Sequence, residues 1–381
     1  MRNGNEIKII HLMSDDKFID ASITLFESNN ECNNIYFVYL PKRKITPTYV
    51  KSSKIIIIHD DDDIFKILST SEKINGIIIH YYDWKKAKGL ITLTKMYPSV
   101  KVFWFAWGGD FYSEINYPLF GKETKQLLLK KHWKSLVITT SGLKSIFKYD
   151  CRFWKLAIPL IDYCSPVLPN EYDYLLKIKG FRAQQVLYSY FDSGLIDFLS
   201  NTVQNIQIAN NVLIGNSATP SNNHLDIFQR IKGEVKQGKI IIPLSYGELW
   251  YRNEIIKKGE LLFRESFYPI VDFMRKEDYY NLISSCSIAI FNHYRQQAIG
   301  NSHVMLYFGA RVYLSEKSIA YQYYKALGVH VYSLEKDFEK YKFLQLEVEK
   351  VIENREKMIN NIFNKKKLTN ILCDIIQILK N

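Results

Sequence analysis

Short, solid apolar runs alternate with segments of helical period over roughly the first 150 residues. The runs predict strands at Lys8–Met13, Ile35–Leu40, Ile55–His59, Gly76–Tyr81, Val102–Trp107 and Leu136–Thr139. Most lack the in/out alternation of a half-exposed sheet, as expected of parallel strands covered on both faces. Between them, apolar residues recur every three or four positions in Lys17–Ser28, Ile64–Ser71, Trp84–Met96 and Leu143–Tyr149, which predicts helices. The rhythm loosens where Pro159, Pro166 and Pro169 fall close together, and Phe181–Leu199 reads as mixed helix and loop. A second series then begins. Its strands are Asn211–Ile214, Lys239–Leu244, Leu261–Phe263, Ser287–Phe291, Arg311–Leu314 and Val329–Tyr332. Its helices are Leu225–Lys236, Glu248–Lys258, Lys276–Ser285, Gln296–Phe308 and Ala320–Leu327. The tail, Asp337–Leu379, is helical in pattern almost throughout.

Strand–helix alternation of this kind builds doubly wound parallel sheets. Two series predict two Rossmann-like α/β domains facing across a cleft, the GT-B layout, with the final helix packing back toward the N-terminal domain. The expected boundaries are 1–165 for an N-terminal acceptor domain, 166–208 for a linker, 209–335 for a C-terminal donor domain and 336–381 for the tail. Ligands of open α/β sheets sit beyond the carboxyl ends of the strands, so the loops after the strands carry the candidate chemistry.

After Asn211–Ile214 comes a small, polar loop and then a helix start: Gly215, Asn216, Ser217, Ala218, Thr219, Pro220, Ser221, Asn222, Asn223, His224. Small residues let backbone amides approach a phosphate, and a helix N-terminus adds unpaired N–H donors. The segment is neither a G-x-G-x-x-G nor a P-loop, which removes support for dehydrogenase and ATPase readings. After Ser287–Phe291 come Asn292, Arg295, Gln296, Gln297, Gly300 and Asn301. Arg295 can fork onto a phosphate, and the amides suit sugar hydroxyls. Ser245 and Tyr246 follow the strand Lys239–Leu244 and are candidates for the base or ribose.

In the first half, Gly108 and Gly109 permit a tight turn that presents Asp110 as a candidate base. Ser14 and Asp15 follow the first strand, Asp15 being a second candidate base. Asp60–Asp63 contains an Asp-x-Asp pattern, but it directly precedes an amphipathic helix whose dipole accounts for the acids. His59 and His80 end strands and read as structural.

Charge and cysteine usage narrow the partners. The 381-residue chain carries 51 basic and 39 acidic residues, a net charge of +12. The Lys are scattered rather than gathered into an arm or patch, which disfavours nucleic acid and leaves phosphorylated ligands or an anionic membrane surface. The five cysteines contain no CxxC pair and predict reduced, cytoplasmic thiols, and the first residues carry no signal-peptide pattern.

The loops taken together resemble a known family, the bacterial TDP-N-acetylfucosamine:lipid II N-acetylfucosaminyltransferases of the 4-alpha-L-fucosyltransferase group, glycosyltransferase family 56. The matching features are Ser14-Asp15 after the opening strand, Trp107-Gly108-Gly109-Asp110, Gly215-Asn216-Ser217-Ala218-Thr219 and Arg295-Gln296-Gln297-Ala298-Ile299-Gly300, in that order. The resemblance implies a hexosyltransferase that moves a 4-acetamido-4,6-dideoxyhexose from a TDP-sugar to a polyprenyl-diphosphate-linked saccharide. It implies no metal or other cofactor, and peripheral attachment to the cytoplasmic face of the inner membrane. Amides at Gly215–Thr219, with Arg295, would hold the leaving diphosphate, and Asp110 would take the acceptor proton if the reaction inverts. Two other readings compete. One is an epimerase-like enzyme acting on a soluble nucleotide sugar, for which Glu265 is a lone candidate carboxylate. The other is a non-catalytic partner subunit that keeps the fold.

Overall fold

The computed structural model describes residues 6–68, 73–138, 151–190, 210–235 and 237–381. In chain order the first elements are β1 (Ile7–Ser14), α1 (Ile19–Glu27), β2 (Cys32–Tyr39), β3 (Ile55–Ile58), α2 (Asp61–Ile67), β4 (Gly76–His80), α3 (Trp84–Met96) and β5 (Lys101–Ala106). They continue with α4 (Lys122–Ile138), α5 (Cys151–Ala157), β6 (Tyr163–Pro166), α6 (Tyr172–Leu175) and β7 (Gln184–Gln185). The second series has β8 (Asn211–Ile214), α7 (His224–Ile231), β9 (Ile240–Pro243), α8 (Leu249–Phe263), β10 (Phe267–Ile270), α9 (Lys276–Ile283) and β11 (Cys286–Phe291). It ends with α10 (Ile299–Phe308), β12 (Arg311–Leu314), α11 (Ile319–Ala326), β13 (Tyr332–Ser333), α12 (Phe338–Tyr341), α13 (Val348–Asn361) and α14 (Lys365–Lys380).

The chain divides into two compact units. The first takes its described residues from 6–116, 151–190 and 365–381. Its seven strands lie in the order β3-β2-β1-β4-β5-β6-β7, every pair parallel. The core under β1, β2, β4 and β5 is closed by α14, whose Leu372, Ile375, Ile376 and Leu379 form one apolar stripe at helical spacing. Lys101 Nζ donates to the Ile378 carbonyl at 2.5 Å and fixes the register of that helix.

The second unit takes its described residues from 117–138 and 210–364. Its six strands run β10-β9-β8-β11-β12-β13, again all parallel. Ile214, Phe228, Ile242, Tyr251, Ile290 and Tyr313 belong to its core. Helix α4 is part of this unit although it lies within the first half of the sequence. The Asp226 carboxylate accepts from the Glu123 and Thr124 amides at 3.0 and 3.2 Å and caps its first turn. Asn223 adds a bond from the Gly121 amide at 2.8 Å.

Several boundaries differ from the sequence reading. Leu136–Ile138 continue α4 instead of forming a strand, because the cap from Asp226 starts a helix there that local apolar content cannot reveal. Leu261–Phe263 end α8, and the strand comes later, at Phe267–Ile270. Its Pro269 is tolerated because β10 lies at the edge of the sheet. The stretch assigned to a linker from 166 belongs, through 190, to the first unit, where β6 and β7 extend the sheet. The expected tail divides between the units, with α12 and α13 in the second and α14 in the first. The helix expected at Leu143–Tyr149 lies outside the described residues.

Candidate active site

In the second unit the loops after β8, β9 and β11 meet at the carboxyl edge of the sheet. The loop after β8 begins at Gly215, whose φ of +67° suits glycine; a Cβ there would lie 2.6 Å from His224 Nε2 and 2.7 Å from Asn222 Oδ1. The amides of Gly215, Asn216 and Ala218 serve the fold itself. They donate to the Ile290 carbonyl (3.1 Å), to Asn222 Oδ1 (2.8 Å) and to the Tyr246 carbonyl (2.7 Å). Gly247 pairs with Ala218 and permits this contact; a Cβ on it would overlap the Ala218 backbone at 2.6 Å.

Hydroxyls and amides form the polar surface of the loop. Gln297 Nε2 donates to Asn216 Oδ1 at 3.0 Å and Thr219 Oγ1 at 3.1 Å, with a longer bond to Ser217 Oγ. Its Oε1 accepts from Ser221 Oγ at 2.7 Å. Asn216 Nδ2 donates to the Tyr246 phenol at 2.9 Å. Arg295 is half-buried, and its Nη1 donates to the Gln296 carbonyl at 2.9 Å. Helix α10 starts after Ala298, in the left-handed conformation at φ +59°, with no side-chain cap. Its second residue, Gly300, is exposed and has nothing within 4 Å of where a Cβ would stand. A helix start without a side-chain cap suits an anion, because its first N–H groups have no partner within the helix. Asn301 Nδ2 is held by the Tyr279 phenol at 2.7 Å.

Five predicted donor residues, Ser217, Asn223, His224, Asn292 and Gln296, are buried under this surface instead of lying on it. His224 is fully buried, 3.3 Å from the Tyr251 phenol. Asn223 joins the Leu119 and Asn292 carbonyls through Nδ2. The Asn292 side chain is buried as well. Asn222, not among the predicted residues, is central: its Oδ1 also accepts from His293 Nε2 at 2.8 Å, and its Nδ2 binds Ser217 Oγ, Thr219 Oγ1 and the Thr219 carbonyl. Its place in an apparent helix cap gave no warning of this. Ser245 is half-buried and Tyr246 exposed.

In the first unit the two candidate bases have other work. Asp110 is 6% exposed. Its carboxylate accepts from the Tyr82 amide (2.9 Å), Trp104 Nε1 (2.9 Å) and the Trp107 amide (3.0 Å), and so builds the turn that Gly108 opens. Burial raises its pKa to about 6 against the pull of these donors. Asp15 accepts from Lys44 Nζ and the amides of Thr48, Tyr49 and Val50, gathering the 44–50 loop. Burial opposes ionisation, but Lys44 and the three amides outweigh it and bring the pKa to about 2, poorly matched to proton abstraction near neutrality. Ser14 Oγ accepts from Lys86 Nζ at 2.7 Å, and Gly109 packs against the Tyr81 ring.

The carboxylates of Asp60–Asp63 point to separate partners: Lys42 for Asp60, the Tyr39 phenol for Asp61, the His59 amide for Asp63. Glu265 is exposed before β10, at the amino edge of the sheet and opposite the loops after β8, β9 and β11.

Comparison with solved structures places the fold. The E. coli trehalose-6-phosphate structure bound with UDP-2-fluoro glucose is 10% identical with a TM-score of 0.62, covering 98% of this chain and 99% of that one. Sucrose-phosphate synthase from Thermosynechococcus elongatus is 10% identical with a TM-score of 0.60, covering 97% and 98%. A UDP-N-acetylglucosamine 2-epimerase is 11% identical with a TM-score of 0.52, covering 98% and 95%. The fold is GT-B. The sequence profile of the 4-alpha-L-fucosyltransferases, glycosyl transferase group 56, matches residues 172–366, a span that takes in the loops after β8, β9 and β11 and more than half of the chain. With this match and the two parallel sheets behind those loops, the chain belongs to the 4-alpha-L-fucosyltransferase family and is a GT-B hexosyltransferase.

Proposed function

We propose that the protein transfers a 4-acetamido-4,6-dideoxyhexose, such as N-acetylfucosamine, from a TDP-sugar to a polyprenyl-diphosphate-linked saccharide. The reaction would take place at the cytoplasmic face of a bacterial inner membrane, during surface-polysaccharide synthesis. The observation that carries this reading is the convergence of Ser217, Thr219, Ser221 and Gln297 beside Arg295 and the uncapped first turn of α10. Nucleotide-sugar ligands of structures with this fold, such as UDP-2-fluoro glucose, support a nucleotide-sugar donor. A net charge of +12 suits both a diphosphate and an anionic membrane surface.

On this reading the leaving diphosphate is stabilised by charge and fixed dipoles already in place. Arg295 supplies the cation, and the α10 amides supply the dipole. The half-buried Thr219 hydroxyl and Gln297 amide, held in place by the buried Ser217 and Ser221 hydroxyls, supply further contacts to phosphate or sugar oxygens. Because the Gly215, Asn216 and Ala218 amides are engaged within the fold, the phosphates belong nearer α10 than the opening of the β8 loop.

Thermal shift of the purified protein against TDP, UDP, GDP and CMP, with and without EDTA, tests the proposal. A ligand at 100 times its Kd adds about 2.7 kcal/mol. Stabilisation by TDP that survives EDTA and falls to about 1 kcal/mol in Arg295→Ala is expected. A preference for UDP or GDP removes the TDP-sugar donor, and no response to any nucleotide removes the transferase mechanism.

A further inference from the structure

The carboxyl edge of the first sheet gathers aromatic side chains from four separate segments. Phe18 follows β1, Tyr81 follows β4, Trp107 follows β5 and Tyr190 lies beyond β7. Trp107 is at their centre, with ring centroids 5.7 Å from Phe18, 5.6 Å from Tyr81 and 5.2 Å from Tyr190. Phe18 is 40% exposed and the other three are half-buried, so the cluster has an open side. Tyr81 has a φ of +62°, a conformation costly for a bulky residue and one that recurs at functional sites.

Two polar groups in this cluster have their hydrogens assigned by what lies beneath them. Tyr190 is the end of a buried chain. Its phenol is 2.6 Å from His80 Nδ1, His80 Nε2 is 3.1 Å from His11 Nδ1, and His11 Nε2 is 3.1 Å from Asn34 Oδ1. Asn34 Nδ2 in turn donates to Glu27. The Asn34 oxygen can only accept, so His11 must donate from Nε2 and accept at Nδ1. His80 must then do the same, and Tyr190 must donate its proton to His80. The Tyr190 oxygen is left only as an acceptor.

Ser14 is the opposite case. Lys86 has a fully buried side chain between Asp83 Oδ2 and Ser14 Oγ, both at 2.7 Å, with the Tyr39 and Tyr81 rings over its ammonium. An ammonium can only donate, so the Ser14 hydroxyl accepts from it and turns its own hydrogen elsewhere.

We infer that this edge is a saccharide subsite, with Phe18, Tyr81 and Trp107 as stacking faces, Ser14 as a fixed hydroxyl donor and Tyr190 as a fixed acceptor. A pyranose combines apolar C–H faces with neighbouring hydroxyls that both give and take hydrogen bonds, and this surface matches both properties. The inference rests on the transferase reading, which supplies the occupant: the sugar end of the acceptor. His11, His80 and Lys86 are positioning residues, since each acts by fixing one hydrogen.

The test uses the full chain and follows tryptophan fluorescence during titration with N-acetylglucosamine, N-acetylgalactosamine or N-acetylmannosamine linked to farnesyl diphosphate. Farnesyl diphosphate alone is the control. A saturable change with at least one sugar-linked probe, absent with the control and lost in Trp107→Phe, is expected. Tyr190→Phe and Ser14→Ala should each weaken the Kd at least tenfold, while the TDP-induced thermal shift, which depends on the second unit, stays as in the wild type. An equal response to farnesyl diphosphate alone, an unchanged Kd in all three variants, or no response to any probe would overturn the subsite. If the sugar-linked response holds while no nucleotide binds, the subsite stands and the donor reading fails.

Discussion

Acidification should unfold the second unit before the first. Among the described side chains five histidines are buried: His11 and His80 in the first unit, His224, His293 and His303 in the second. Burial brings His11, His224 and His303 from 6.5 to about 3, and lowers His80 and His293 well below the usual value. A lowered folded pKa means the unfolded chain takes up protons first, so stability is lost as pH falls through 6.5 and goes on falling to about 3. Between pH 7 and pH 5 each group held near 3 costs about 2 kcal/mol. His224 and His303 together remove about 4 kcal/mol from the second unit, with His293 adding in the same direction. In the first unit His11 costs the same about 2 kcal/mol and His80 adds in the same direction, but Asp110, raised from 3.8 to about 6, returns about 1 kcal/mol as it protonates in the folded state. Asp16 and Asp61, both raised by burial, act in the same restoring direction. A loss of about 4 kcal/mol in a unit of this size lowers Tm by about 10 °C. Scanning calorimetry at pH 7, 6 and 5 measures this, the second unit being identified as the transition that TDP moves. In His303→Gln, which cannot titrate, the loss between pH 7 and pH 5 should shrink by about 2 kcal/mol. A second-unit transition that moves less than about 2 °C over this range, or a His303→Gln variant with an unaltered pH slope, would refute the reasoning.

Other consequences can be checked separately. Arg295→Ala removes one charge-assisted contact and should weaken TDP binding by about 2 kcal/mol, roughly thirtyfold by calorimetric titration, with Tm within about 1 °C of wild type. Asp110→Asn presents an amide N–H to a pocket of donors and should destabilise the first unit by about 2–4 kcal/mol in urea unfolding, leaving the TDP Kd unchanged. Ile376→Ala, at a position 2% exposed on α14, should cost the first unit about 2–4 kcal/mol by the same measurement and leave the second unit unaffected. Gly215→Ala forces a Cβ against His224 and Asn222 at a left-handed position, and should both lower the second-unit Tm and abolish the TDP shift.

The two parallel sheets were legible in the sequence alone, because a strand buried on both faces is apolar along its length, as Ile77–Ile79, Ile240–Ile242 and Ile288–Phe291 are. The sequence also located the polar loops after β8 and β11, since a Gly- and Ser-rich turn after such a strand has few other forms. The final helix was legible as an amphipathic stripe, and it packs on the first unit as expected. Tertiary structure decided which unit each distant segment joined. Helix α4 is capped by Asp226, about a hundred residues away in sequence, so its first turn is defined by a contact that no local pattern encodes. It also decided what each polar side chain does. Asp15 and Asp110 have the residue type and position of a base, but the direction of their neighbours' N–H groups makes them turn-builders. The Tyr190–His80–His11–Asn34 chain joins four segments scattered between residues 11 and 190, and its hydrogen-bond direction exists only when all four are assembled. Apolar periodicity is local because burial needs only a face, whereas hydrogen-bond direction depends on which groups finally meet.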